Sequence, residues 1–306
     1  MPPCINYFKE SRMASIEMLF HFFKAVPFSY YIEKEETLED NTIHVQKQSS
    51  QTFKKPLDKT ITGFDYVEIS GQYLCAYDQK ILRVILQALQ KQEEAPFIAI
   101  SAKSPNEEYL PIERQVYSNQ TTLSLQQFYT LLNNQSHNRS SNDIFGKIFK
   151  SLQRLASTTL SFYTKNKSKI ITAPLLIYAK NATMLTFQVH PCVMSFQFTT
   201  NNEPNLLKYK QPYYHIDNTH YFKERSDLEQ LLYTKIQYKF ASMAHKSFTM
   251  GFNELREQLF LPSTSQRTTY NQCSKLRNAI KNLNDNSEYT LSLENTTTPI
   301  LMVSKK

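Results

Sequence analysis

The sequence predicts an α+β chain, mostly α, in which one order of elements (helix, turn, helix, hairpin) is laid down twice. Three observations predict it. Apolar residues recur at spacings of three and four, short strand-like runs follow each pair of such segments, and only four glycines occur, Gly63, Gly71, Gly146 and Gly251. So few glycines exclude the loops that bring a backbone close to a phosphate, and with them Rossmann and P-loop architectures. At 306 residues the chain can bury two cores. The element order divides it into an N-terminal extension over 1–60, a first unit over 61–200 and a second over 201–306.

The extension begins with aromatic and charged clusters and becomes polar from Glu33 to Lys59, which predicts an amphipathic helix followed by a linker. Asp78 precedes the run Ile81, Leu82, Val84, Ile85, Leu86 and Leu89, the pattern of an N-capped helix. Short strands are expected beside it at Asp65 to Ile69 and Phe97 to Ser101. In the first unit, Ser124 to Leu132 and Asn142 to Ser157 are helices around the polar turn Asn133 to Ser141. Strands follow at Thr159 to Tyr163, Ile170 to Tyr178 and Met184 to Val189. In the second unit a long helix runs from Ser226 to about His245, entered through the capping pattern Ser226 to Glu229. Phe252 to Leu259 is the next helix, Phe260 to Ser265 the turn, and Arg267 or Thr268 to Asn282 the helix after it. Tyr289 to Leu293 and Ile300 to Val303 close the unit as a hairpin. Helix-turn-helix followed by a hairpin is the winged-helix order, so two tandem winged-helix domains are expected, inferred from the order of elements rather than from identity between the repeats.

Charge is distributed unevenly. Residues 1–113 hold 12 Lys/Arg against 16 Asp/Glu, a net of −4, and residues 114–306 hold 23 against 11, a net of +12. A basic excess of that size suits a polyanion, because each phosphate neutralised releases condensed counterions; plain solubility accounts for it equally well. On the helix from Asn142, Ile144, Phe145, Ile148, Phe149, Leu152 and Leu155 form the apolar stripe, and Lys147, Lys150 and Arg154 fall opposite. That face is either an ordinary solvated surface or one suited to a major groove. On the helix from Arg267, Cys273, Leu276, Ile280 and Leu283 point inward, while Asn271, Gln272, Lys275, Asn278 and Lys281 lie on the other face, with Arg277 on its flank. No carboxylate interrupts this face between Arg267 and Lys281. Asn and Gln pair bidentately with adenine, Arg and Lys with guanine, so these are the residue types of direct base readout. Lys165, Lys167 and Lys169 crowd a hairpin tip, where they would contact phosphates or guard a strand edge.

Catalysis and cofactors find no support. His190 and Cys192 sit one residue apart, and His215, Asp217 and His220 lie close together, but neither group has zinc-site spacing; no metal and no cofactor are expected. No His-x-His pair occurs, as the metal site of a rolling-circle nickase would need. Cys4, Cys75, Cys192 and Cys273 are widely spaced and read as free thiols. The apolar stretch Ile16 to Phe28 carries Glu17, His21 and Lys24 and is too short to span a bilayer, so a cytoplasmic protein without a membrane partner is expected.

The segment Leu74-Cys-Ala-Tyr-Asp78-Gln-Lys-Ile-Leu82 resembles the opening helix of the RepC-type replication initiators of IncQ-like plasmids. Leu276-Arg277-Asn278-Ala279-Ile280 looks like that family's late basic helix with its Leu-Arg-x-Ala-Ile/Leu core, and Asp227 to Ile236 is similar in spacing to the long helix introducing its second domain. The resemblance covers roughly residues 60–306. It implies a non-enzymatic protein that binds direct repeats (iterons) at a plasmid origin, promotes opening of an adjacent A·T-rich segment and lets a replicative helicase load. This chain has Asn271, Gln272 and Ser274 where the family is more heavily basic, and its first 60 residues have no counterpart there. A transcriptional repressor or partition-type DNA binder on the same folds, and an interaction scaffold for an acidic partner, remain the alternatives. Monomer and homodimer both stay open.

Overall fold

A computed structural model describes residues 10–14, 23–25, 32–37, 43–48, 50–57, 64–91, 120–132, 141–168, 170–190, 193, 213–217, 226–242, 246–261, 265–294 and 299–306. Within them the chain is a mixture of helices and small sheets in which one topology occurs twice.

The first occurrence is α1 (Ala76–Lys91), β8 (Gln120–Ser124), α2 (Leu125–Leu132), α3 (Ser141–Ser157), β11 (Leu176–Asn181) and β12 (Met184–Val189). The second is α4 (Asp227–Ser242), β14 (Ser247–Gly251), α5 (Phe252–Leu259), α6 (Gln266–Asn286), β15 (Tyr289–Glu294) and β16 (Ile300–Lys305). In each, the strand that leads into the second helix pairs antiparallel with the last strand, which lies in the middle of three: the orders are β11-β12-β8 and β14-β16-β15. Met184 faces Ser124 in one sheet and Ile300 faces Gly251 in the other.

Local chemistry sets the helix starts. Ser124 and Gln127 form a reciprocal capping box at α2: the Ser124 N–H donates to Gln127 Oε1 (2.9 Å) and the Gln127 N–H to Ser124 Oγ (3.1 Å). At α1, Asp78 is not the cap but the third helical residue, and its Oδ2 accepts the Cys75 N–H at 2.8 Å, satisfying an otherwise orphaned donor.

The first unit departs from the second by an insertion. After α3 the hairpin β9 (Thr159–Tyr163) and β10 (Ile170–Pro174) joins β6 (Tyr66–Gln72) and β5 (Ser50–Pro56) in a separate sheet, ordered β10-β9-β6-β5. The lysine-tipped hairpin is therefore not the one attached to β8; that role falls to β11–β12. Gly71 in β6 has φ +152° and lies so close to the end of α3 that a Cβ there would sit 2.6 Å from Thr158 Cα.

The expected N-terminal helix and linker are corrected over the described residues. Phe23–Lys24 form β2, parallel to β7 (Leu74–Cys75), and the polar stretch contains β3 (Ile32–Thr37), β4 (Ile43–Gln48) and β5. Strand pairing outweighs the helical and linker preference here. A break at residue 60 would cut between the paired strands β5 and β6. β1 (Glu10–Ala14) likewise pairs with β13 (Tyr213–Asp217) of the second half. The expected strand Phe97 to Ser101 lies outside the described residues.

The two halves meet through α1 and α4, both enclosed along their middle turns. Ile81, Leu82, Ile85 and Leu89 of α1, with Leu231, Leu232 and Ile236 of α4, belong to one continuous core. Arg83 Nη2 donates to Thr234 Oγ1 (3.1 Å) in that interior, so polar contacts also fix how the helices meet. Residues 23–25 strap the halves together. While β2 pairs with β7 at the start of α1, the Ala25 N–H donates to Leu259 O (2.7 Å), and Lys24 Nζ donates to Glu257 O (3.2 Å) and Gln258 O (2.8 Å) at the end of α5. A cation among the last carbonyls of a helix complements its dipole.

Candidate nucleic-acid interface

Helix α6 starts where Ser265, extended at φ −80° and ψ 125°, caps the Thr268 N–H. At about 100° of rotation per residue, Leu276, Ala279, Ile280 and Leu283 share the buried side. Arg267, Asn271, Ser274, Asn278 and Lys281 fall opposite, and all are exposed. Lys275 and Arg277, on the two flanks, are exposed as well, with the Arg277 guanidinium 5.3 Å from the Phe252 ring centre. Among the described residues, no acidic side chain is ion-paired with Arg267, Lys275 or Lys281.

Gln272 differs from its neighbours. It is half-buried, its Nε2 donates to Leu261 O (3.1 Å), and its Oε1 accepts from Arg256 Nη1 (3.4 Å). Its amide holds the turn between α5 and α6 and is not presented for base readout. The Phe260 N–H, donating to Arg256 O at 2.9 Å, closes α5 before that turn.

On α3 the expected outward cationic face is reduced. Ile148, Leu152 and Leu155 are buried as their spacing predicts, and Lys147 and Lys150 are exposed. Arg154 is not on that face: its side chain is 13% exposed and chelates the fully buried Asp78, with Nη2 2.7 Å from Oδ1 and Nε 3.0 Å from Oδ2. Ser151 Oγ donates to the same carboxylate at 2.6 Å. Burial opposes the Arg154 charge, but Asp78 more than offsets it and holds the guanidinium above its ordinary pKa. Burial, reinforced by Asp78, pushes the neighbouring Cys75 thiol up to about 12, which leaves it unreactive. Partial desolvation and the nearness of Asp78 raise Asp227, at the start of α4, while Lys147 lowers it.

The hairpin tip between β9 and β10 is tightly built. Asn166 Oδ1 accepts from Thr164 Oγ1 (2.9 Å) and the Ser168 N–H (3.1 Å), and the Lys165 N–H is anchored on Asp65 Oδ2 (2.7 Å). Lys167 takes the left-handed conformation, φ 57°, and points to solvent with Lys165. Lys169 lies outside the described residues, as do Cys192 and His220. His190 is a core residue: it packs on Phe162 (ring centres 5.2 Å apart), sits 3.3 Å from Leu160 O, and burial pushes its pKa down to about 4.

Sequence reasoning missed three surface groups. Lys180 reaches over Phe149 of α3 at 5.0 Å from the β11–β12 hairpin, Lys54 lies 4.1 Å over the Tyr66 ring, and Tyr270 stands exposed on α6. The first two need the sheet pairings to be seen. Tyr270 was legible, since it lies three residues after Arg267 and outside the inward row.

No family model and no curated protein matches the chain. Among solved structures it is similar to a crystal structure of selenomethionine derivatives of domains 2 and 3 of RctB. The TM-score is 0.47 at 14% identity, over 85% of this chain and 92% of that one. It is also similar to a second crystal structure of RctB domains 2–3, with a TM-score of 0.45 at 13% identity over the same shares of the two chains. No described helix is long and apolar enough to cross a membrane.

Proposed function

We propose that the chain is a sequence-specific, non-catalytic binder of double-stranded DNA, built as two tandem winged-helix units, that acts as a replication initiator. The observation that carries the reading is the outward face of α6: Arg267, Asn271, Lys275, Asn278 and Lys281 exposed on a helix that follows α5 through a short turn, with no carboxylate among them. A helix of 21 residues, about 30 Å long, is long enough to lie in a major groove. Its amides and cations match adenine and guanine edges. The hairpin β15–β16 would supply the wing.

The topology supports the duplicated fold, since helix, strand, helix, helix and hairpin recur with the same strand order in both halves. α6 is the principal reader. α3 contributes Lys147 and Lys150, with Lys165 and Lys167 adding phosphate contacts from the inserted hairpin. The initiator role, with direct repeats at an origin and a replicative helicase as the later partner, follows from the RepC-type resemblance.

The test places the full chain on a supercoiled plasmid carrying the DNA that flanks its gene. Footprinting should show protection of direct repeats, and permanganate should mark unpaired thymines in an adjacent A·T-rich segment. Protection without melting would assign a repressor or partition role. Retardation of every fragment alike would remove sequence-specific binding altogether and favour an acidic protein partner.

A further inference from the structure

We infer that Tyr270 reads the 5-methyl group of one thymine in the recognised duplex. The inference rests on the DNA-binding role proposed above. Tyr270 is 72% exposed, more than Ile170, Ile177, Met184 or Met302, the other large apolar side chains at the described surface. It stands one turn into α6, in line with Arg267 three residues before it, Ser274 four after and Arg277 seven after, a spacing that stacks side chains along one flank of a helix. The core row of Leu276, Ala279, Ile280 and Leu283 lies away from it, so the ring stands outside the buried row of the helix.

An aromatic ring held in water among cations and amides suits a contact surface, and its setting narrows the partner. Protein-docking anchors sit among other apolar residues. Here the neighbours Arg267, Asn271 and Ser274 are hydrogen-bonding groups, and no second large apolar side chain is exposed on α6. In the major groove the one apolar feature on the base edges is the thymine methyl. Wedges that unstack bases act from the minor groove, whereas a side chain on the flank of a groove-bound helix meets base edges. Arg267 and Asn271 would hold the adjacent phosphate and base while the ring covers the methyl.

The experiment selects duplexes with a randomised centre on the full-length protein, in parallel pools synthesised with thymine or with uracil, which differs by that methyl alone. The thymine pool should enrich a motif with one position at which uracil fails to substitute. On the selected duplex, replacing that single thymine by uracil should weaken the parent about fourfold, the worth of one buried methyl. Tyr270→Ala should bind both duplexes alike and at least as weakly as the parent binds the uracil form, and Tyr270→Phe should keep the parental difference. A full thymine–uracil difference in Tyr270→Ala would overturn the assignment, as would none in the parent. Tyr270→Phe failing as badly as the alanine variant would also overturn it, by placing the contact at the hydroxyl. In these cases the enriched motif, and with it the DNA-reading role, stands. Pools without any motif would remove both.

Discussion

Replacing Arg154 tests whether the cation of α3 belongs to the fold or to a ligand. Asp78 is fully buried and accepts from the Cys75 N–H, Ser151 Oγ and two Arg154 nitrogens. Arg154→Met removes the positive partner and leaves the carboxylate with two neutral donors in the interior. Breaking a buried pair from one side costs about 3–5 kcal/mol, a large share of the roughly 5–15 kcal/mol that holds a domain together, and lowers Tm by about 10 °C. Urea denaturation followed by circular dichroism measures it directly. Arg154→Lys keeps the charge but cannot chelate both oxygens, and should lose about 1–2 kcal/mol. The double variant Asp78→Asn with Arg154→Met should recover much of the deficit, because no buried charge remains. The salt dependence of DNA affinity should be unchanged in Arg154→Lys. An Arg154→Met protein with the parental urea midpoint and a shallower salt slope would refute this account and return the residue to the DNA-facing surface.

Gly71→Ala should destabilise by about 2–4 kcal/mol, from a left-handed backbone combined with a collision with Thr158; a chemical melt reads it. His190 is held neutral in the fold at a pKa of about 4 against an ordinary 6.5. Its contribution is therefore complete above pH 6.5 and drains away as pH falls toward 4, by up to about 3 kcal/mol; a His190→Phe variant should show a flatter pH–stability curve across that window. Lys281→Ala should reduce the slope of log affinity against log salt by about 1 if the ammonium meets a phosphate, measured by fluorescence anisotropy on duplex DNA.

The helices were legible because their apolar spacing is long and regular: Ile148, Leu152 and Leu155 in α3, and Leu276, Ile280 and Leu283 in α6, are buried as read. The strands β8 and β14 were not. Each is five residues long and pairs with a partner roughly fifty to seventy positions away, so nothing local announces it. The polar runs of β3, β4 and β5 hid for another reason: they carry few apolar residues to mark a buried face. At the candidate interface, residue type was readable and availability was not. Arg154 and Lys275 look alike in sequence, and only the folded chain brings Asp78 to the first. Gln272 likewise has the chemistry of a reader but is spent on Leu261 and Arg256.

For the duplex-binding role proposed above, the short strap at Phe23 to Ala25 would act as a built-in ruler. By grasping the foot of α1 with one edge and the end of α5 with the other, it ties the two halves at a second place beside the contact of α1 with α4. Each base pair inserted between two contact points on B-form DNA turns the second by roughly 34°, and a jointed protein could follow that rotation. One clasped in this manner would not, so the distance between contact points would become part of the message alongside the letters.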